Sequence, residues 1–166
     1  MAVEQVVESE VALDDVRVVA IDRWSDRRQL MRRLLEHSFK ASEIVEADSR
    51  SAALELVRRH QPELVIVEIQ MPLEEGLEII SELHQISPRP RVVVCSFRHD
   101  AATVAAALDR GADAYLAKPA GIADLRAALG AALPEAAVRH RPPKERPVSP
   151  SPLGHPASGI ETQATP

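Results

Sequence analysis

The stretch PELVIVEIQMPLEEGLEII, Pro62 to Ile80, decides the fold. Its run Leu64 to Val67 is short, unbroken by polar residues and rich in Val and Ile, the signature of a parallel strand buried on both faces. The run ends in one polar residue, Glu68. Three further runs share the pattern: Val18 to Ile21 delivers Asp22, Val92 to Cys95 delivers Ser96, and Tyr115 to Ala117 delivers Lys118. In an open α/β sheet the ligand crevice lies outside the carboxyl ends of the strands, so these four side chains are expected at one site. Two carboxylates, a hydroxyl and an amine suit phosphate or metal chemistry.

Outward from this stretch the chain alternates. Strands are expected at 16–21, 43–47, 63–67, 91–96 and 113–117, each followed by a helix, at about 26–38, 50–60, 75–86, 100–110 and 121–132. Leu30, Leu34 and Leu35 recur at helical intervals, as do Ala53, Leu54 and Val57. Ser25 and either Asp48 or Ser49 supply short oxygen-bearing side chains for the first two helix starts. Five consecutive βα units with short connections predict a doubly wound α/β domain on a five-stranded parallel sheet.

The 166 residues suffice for one such domain, expected over 16–133. Residues 1–15 carry five acids and no base and are expected as an acidic flexible arm. Eight of the thirteen prolines fall in the last 33 residues, so 134–166 is expected as a disordered tail. Its basic segment RHRPPKER, Arg139 to Arg146, suits a solvated tail more than a docking motif. A net charge of -5 and four aromatics (Trp24, Phe39, Phe97, Tyr115) argue against direct nucleic-acid binding. The single cysteine, Cys95, lies in an apolar strand where a small hydrophobe is expected. With no signal-like start and no membrane-length apolar run, a soluble cytoplasmic protein is expected.

Four motifs in order, VRVVAID ending at Asp22, PELVIVEIQMPLEEGLEII, VVVCS ending at Ser96, and GADAYLAKP from Gly111 to Pro119, together resemble the receiver domain of bacterial two-component response regulators. The resemblance runs from about Val16 to Leu133. It implies a flavodoxin-like (βα)5 fold. It also implies transfer of a phosphoryl group from a histidine kinase to an aspartate at the end of the third strand, with Mg²⁺ held by two acids after the first. Asp22, Ser96 and Lys118 match the metal-site acid, the hydroxyl that contacts phosphate and the lysine that pairs with its charge. Two positions depart from the pattern. Glu68 stands at the phosphoacceptor position, and Arg23 where the second acid belongs.

Both departures work against phosphoryl transfer. The extra methylene of glutamate moves the nucleophilic oxygen by roughly 1.5 Å, and in-line attack is sensitive to such displacement. Setting Asp22 and Glu68 against Arg23 and Lys118 leaves a neutral site, without the negative pocket that draws a hard divalent cation. Mg²⁺ binding is therefore expected to be weak or absent, the domain non-enzymatic, and the remaining site a remnant. Two conformations stay open: Glu68 reaching Lys118 and Ser96 in partial imitation of phosphate, or Arg23 holding Glu68 back in a resting shape. The imitation would be partial, since a phosphate carries about 1.5 to 2 charges and a third oxygen.

The resemblance also assigns Tyr115, with Ser96, to a switch in which the aromatic turns inward, and makes Pro119 a candidate cis-proline. Trp24 is expected to pack rather than to anchor a partner, and Gly76 to serve backbone geometry after the turn. The alanine-rich fourth and fifth helices are the family's usual dimerisation or docking face, so a homodimer through them is one expectation. Other expected partners are a histidine kinase or a downstream regulator. With no second folded domain expected after residue 133, output would come through a partner, dimerisation or the tail. The leading reading is an atypical receiver in phosphorelay signalling, acting by protein–protein interaction. Its competitors are a phosphoacceptor with an unusual site and a flavodoxin-like small-ligand or nucleotide module. The last lacks a GxGxxG or GxxxxGK[ST] loop.

Overall fold

The computed structural model describes residues 10–134 and 138–139. The expectations for 1–9, 135–137 and 140–166, including the flexible arm's first part and most of the tail, lie outside the described residues. In chain order the elements are β1 (Glu10–Val11), β2 (Arg17–Ile21), α1 (Ser25–Phe39), β3 (Glu43–Ala47), α2 (Arg50–His60), β4 (Leu64–Val67), α3 (Leu73–Gln85), β5 (Arg91–Ser96), α4 (Ala101–Asp109), β6 (Ala114–Ala117), α5 (Ile122–Ala132) and β7 (Val138–Arg139).

The main sheet is parallel throughout, in the order β3-β2-β4-β5-β6. Alternation along each central strand feeds two cores. Val65 and Val67 of β4 and Val92 and Val94 of β5 pack with Ala53, Val57, Ile79, Ile80 and Leu83 from α2 and α3. Leu64, Ile66, Val93 and Cys95 face the other way, onto Leu35 and Phe39 of α1 and Leu125 and Leu129 of α5. A strand apolar at every position is what a sheet covered on both sides demands. The chain passes from β2 out to β3 and back across to β4, so the sheet's topological switch lies between the ends of β2 and β4, where Asp22 and Glu68 emerge.

Two sequence expectations need correction here. Residues 10–15 belong to the domain rather than to an arm: β1 pairs antiparallel with β7, and Val11 and Leu13 are buried in the α1/α5 core. The Leu13 amide donates to the Phe39 carbonyl at 2.7 Å, and the Ser42 hydroxyl to the Asp14 carbonyl at 2.8 Å, which fastens this segment under the end of α1. The β7 strand likewise draws residues 138–139 of the expected tail into pairing. Second, Ser25 does not cap α1. Trp24 occupies the cap position without a side-chain bond, and its amide donates instead to Asp22 Oδ1 at 3.0 Å. Ser49 does cap α2, accepting from the Ala52 amide at 3.4 Å.

Gly76 serves a close approach of backbones. A Cβ there would sit 2.2 Å from the Ile69 carbonyl oxygen and 2.6 Å from the Ile69 Cα, so α3 leans directly on the loop that follows Glu68. Backbone cannot yield as a flexible side chain does. Gly76→Ala is expected to lose about 2 kcal/mol in urea unfolding, although alanine gains about 1 kcal/mol in helix propensity. An unchanged midpoint would contradict this packing.

Candidate functional site at the strand ends

Glu68 follows the last residue of β4 with only 3% of its surface exposed. Its carboxylate is fully engaged. Oε1 accepts from the Ser96 hydroxyl at 2.5 Å and from the Gln70 amide at 3.0 Å, and Oε2 meets the Lys118 ammonium at 3.3 Å. Register explains the convergence. Val67 pairs with Val94 across β4 and β5, and Ser96 with Ala117 across β5 and β6, so each functional residue leaves its strand at the same rim. Lys118 precedes Pro119 through a cis peptide bond. Its Nζ also lies 5.1 Å from the Phe97 ring centre, a cation–π contact over the site.

From Ser96 the network continues to the switch position. The Ser96 hydroxyl accepts from the Arg98 amide at 3.2 Å, and the Tyr115 hydroxyl donates to the Arg98 carbonyl at 2.6 Å. Tyr115 is half-buried and packed against the α2/α3 core, and burial pushes its phenol above the ordinary tyrosine range. The carboxylate of Glu68 is thus joined to Tyr115 through one hydroxyl and the backbone of one residue, Arg98. Arg98 was not legible as part of the site, because it takes part through its backbone and any residue can supply that.

Asp22 lies beside this network, 6% exposed. Burial pushes its carboxyl above the ordinary aspartate range; the Trp24 amide and the charges of Lys118 and Arg27 pull the other way, while Glu68 adds to the rise. A raised folded-state value means that the folded chain holds more protons than the unfolded one in that window. Stability therefore falls as pH rises from the ordinary aspartate range through the raised value. At neutral pH the ionised side chain is a net cost. Asp22→Asn, which keeps an oxygen for the Trp24 amide, is expected to raise the melting temperature at pH 7. The gain should disappear in acid, where Asp22 is protonated in both states, and thermal melts across pH check both.

Arg23 is where the sequence reading needs its main correction. It does not enter the site: it is exposed, with its guanidinium 5.6 Å from the centre of the Trp24 ring. The first turn of α1 brings other arginines to the end of β2 instead. Arg27 lines a small recess with Asp22, Glu68, Cys95 and Lys118. Arg28 donates to the Asp22 carbonyl at 2.6 Å and pairs with Glu46 at 3.4 Å. A charged loop residue beside a solvated aromatic face stays hydrated, whereas one helical turn later the backbone aims inward. Two carboxylates still face two cations, with Arg27 in the place expected for Arg23. Trp24 is exposed rather than packed in the core. Burial pushes the Cys95 thiol up to about 11, so it stays protonated at neutral pH, as a small hydrophobe should.

Fold and site together define a domain of the doubly wound α/β type, with its polar residues gathered at the strand ends. The family model of the response regulator receiver domain matches residues 18–130. Among curated relatives, the chain is 29% identical over 103 residues to the chemotaxis protein CheY of Halobacterium salinarum, covering 62% of this chain and 84% of that protein. It is 37% identical over 107 residues to the KDP operon transcriptional regulatory protein KdpE of Escherichia coli, covering 63% of this chain and 47% of the relative. Identity to the response regulator MprA of a Mycobacterium species is 32% over 136 residues, covering 82% of this chain and 56% of the relative. The chain thus spans about half the length of those two regulators. Two solved structures superpose with a TM-score of 0.63. The signal receiver domain of the NarL regulator from Mycobacterium tuberculosis is 29% identical, with 74% of this chain and 95% of that chain covered. A response regulator from Burkholderia pseudomallei, described with a phosphorylated aspartic acid and a calcium ion, is 30% identical, with 69% of this chain and 66% of that chain covered. The chain belongs to the response regulator receiver domain family, and its setting is two-component signal transduction.

Proposed function

We propose that this receiver signals without accepting a phosphoryl group, and that Glu68 holds part of the phosphorylated arrangement permanently. One observation carries the reading: both oxygens of Glu68 are taken by Ser96, Lys118 and the Gln70 amide. Ser96 and Lys118 stand at the positions that contact the phosphoryl group in a typical receiver. A carboxylate so engaged is neither free nor aimed outward for attack on a phosphodonor. The half-buried Tyr115, tied to Arg98, fits the inward side of the family's switch, and Arg23 is too far out to hold Glu68 in a resting shape.

The metal-site residues do not fit Mg²⁺. Among the described residues no group of three or more His, Cys, Asp or Glu side chains converges. Of the two acids present, Glu68 is bonded on both oxygens and Asp22 accepts the Trp24 amide. Lys118 and Arg27 supply the positive charge that a cation would bring. A hard divalent ion has no electrostatic reason to enter.

Output then passes through protein contact, to a kinase, a downstream regulator or a second copy. Leu108 on α4 and Ile122 on α5 are exposed apolar side chains available to such contacts. Backbone amide spectra and hydrogen exchange of wild type, Glu68→Gln and Glu68→Ala test the conformational part. Glu68→Ala is expected to release the Ser96–Arg98 turn and shift Tyr115, with Glu68→Gln intermediate. Identical protection of residues 96–98 in all three would make the carboxylate vestigial.

A further inference from the structure

We propose a second binding site in this domain, a cavity between α1 and the β6–α5 turn that takes a small carboxylic acid with an apolar body. The cavity has a volume of about 230 Å³ and is lined chiefly by Leu30, Met31, Leu34, Phe97, Leu116 and Leu125. Pockets for drug-sized ligands run from about 300 to 1,000 Å³, so this one suits a smaller molecule. Apart from Phe97, Cys95 and two cations, Arg27 and Lys118, its walls are apolar and aliphatic, which favours a hydrocarbon chain or a single ring.

Charge at one end decides the head group. Arg27 and Lys118 line the cavity, whereas Asp22 and Glu68 line only the neighbouring recess. The two cations stand in both spaces and the two acids in one. Lys118 is engaged with Glu68 at 3.3 Å, whereas Arg27, whose charge is felt by Asp22 across the neighbouring recess, makes no direct ion pair among the described residues. Its guanidinium rests over the rings of Phe97 and Trp24, at 5.0 Å and 5.8 Å from their centres. A guanidinium held between aromatic faces at the rim of an apolar cavity offers a carboxylate two parallel N–H donors, while the body of the acid is buried behind it. A cationic ligand would meet two like charges, and a neutral one would leave the fork unused.

This site shares Lys118 and Arg27 with the strand-end network, but its head-group contact rests on Arg27, so a failure here leaves the bonding of Glu68 untouched. Three ligands with one tail and different heads test it: octanoate, octanol and octylamine, titrated against the full chain while the methyl resonances of Met31, Leu116 and Leu125 are followed. Octanoate is expected to shift all three saturably with one-to-one stoichiometry, at least about tenfold more tightly than octanol, with octylamine weakest. In Arg27→Gln, octanoate should weaken to the level of octanol and octanol should be unchanged. That internal comparison separates loss of the head-group contact from loss of the fold. Equal affinity for the three heads, or shifts confined to exposed Trp24 outside the cavity, would overturn the proposal. So would retention of the octanoate preference in Arg27→Gln.

Discussion

Lys118→Met is expected to destabilise the domain by about 3 to 4 kcal/mol at pH 7, the cost of leaving a buried carboxylate without its cation. The Glu68 side chain is 2% exposed and that of Lys118 17%, so bulk water does not replace the lost ammonium, and the small recess beside Arg27 has room for about one molecule. Ser96 and the Gln70 amide would still donate to Oε1, but Oε2 would lose its ammonium partner. The double variant Lys118→Met/Glu68→Gln should recover most of the loss, because it removes both charges and keeps the side-chain lengths. Chemical unfolding of the wild type, the single variants and the double variant gives the coupling directly. Additive effects would mean that the 3.3 Å contact contributes no pairing.

Leu13→Ala is expected to cost about 3 kcal/mol, as a fully buried leucine does when the space behind it cannot collapse. Leu13 is 0% exposed among Val11, Phe39 and Leu129. Leu30, which is 69% exposed on α1, gives the contrast: its replacement by alanine should change stability by less than about 0.5 kcal/mol. If both replacements proved equally mild, residues 10–15 would lie outside the cooperative unit.

The difference between these two leucines marks where sequence reading succeeds. The central sheet was legible because Leu64 to Val67 and Val92 to Cys95 must be apolar at every position to face helices on both sides. The strand over 43–47 was legible to the residue, and so was the rim formed by Asp22, Glu68, Ser96 and Lys118. The ribbon of β1 with β7 was not. A strand of two residues has no period, and its partner lies more than a hundred residues away. Helix α3 begins at Leu73, two residues before the expected start, because Pro72 can stand at the cap, where no amide donor is needed. Arg23 and Arg27 look alike in sequence. Which of them faces the site depends on the path from the end of β2 into α1, and no pattern of residue types encodes that path.

This geometry gives the account a single point of failure, the chemistry of residue 68. The direct measurement is the intact mass of the full chain after incubation with acetyl phosphate and excess Mg²⁺, with Glu68→Asp run alongside. No phosphoryl adduct is expected on the wild type at any time point. An acyl-phosphate on Glu68 of the wild type, stable enough to be mapped to that residue, would contradict that expectation.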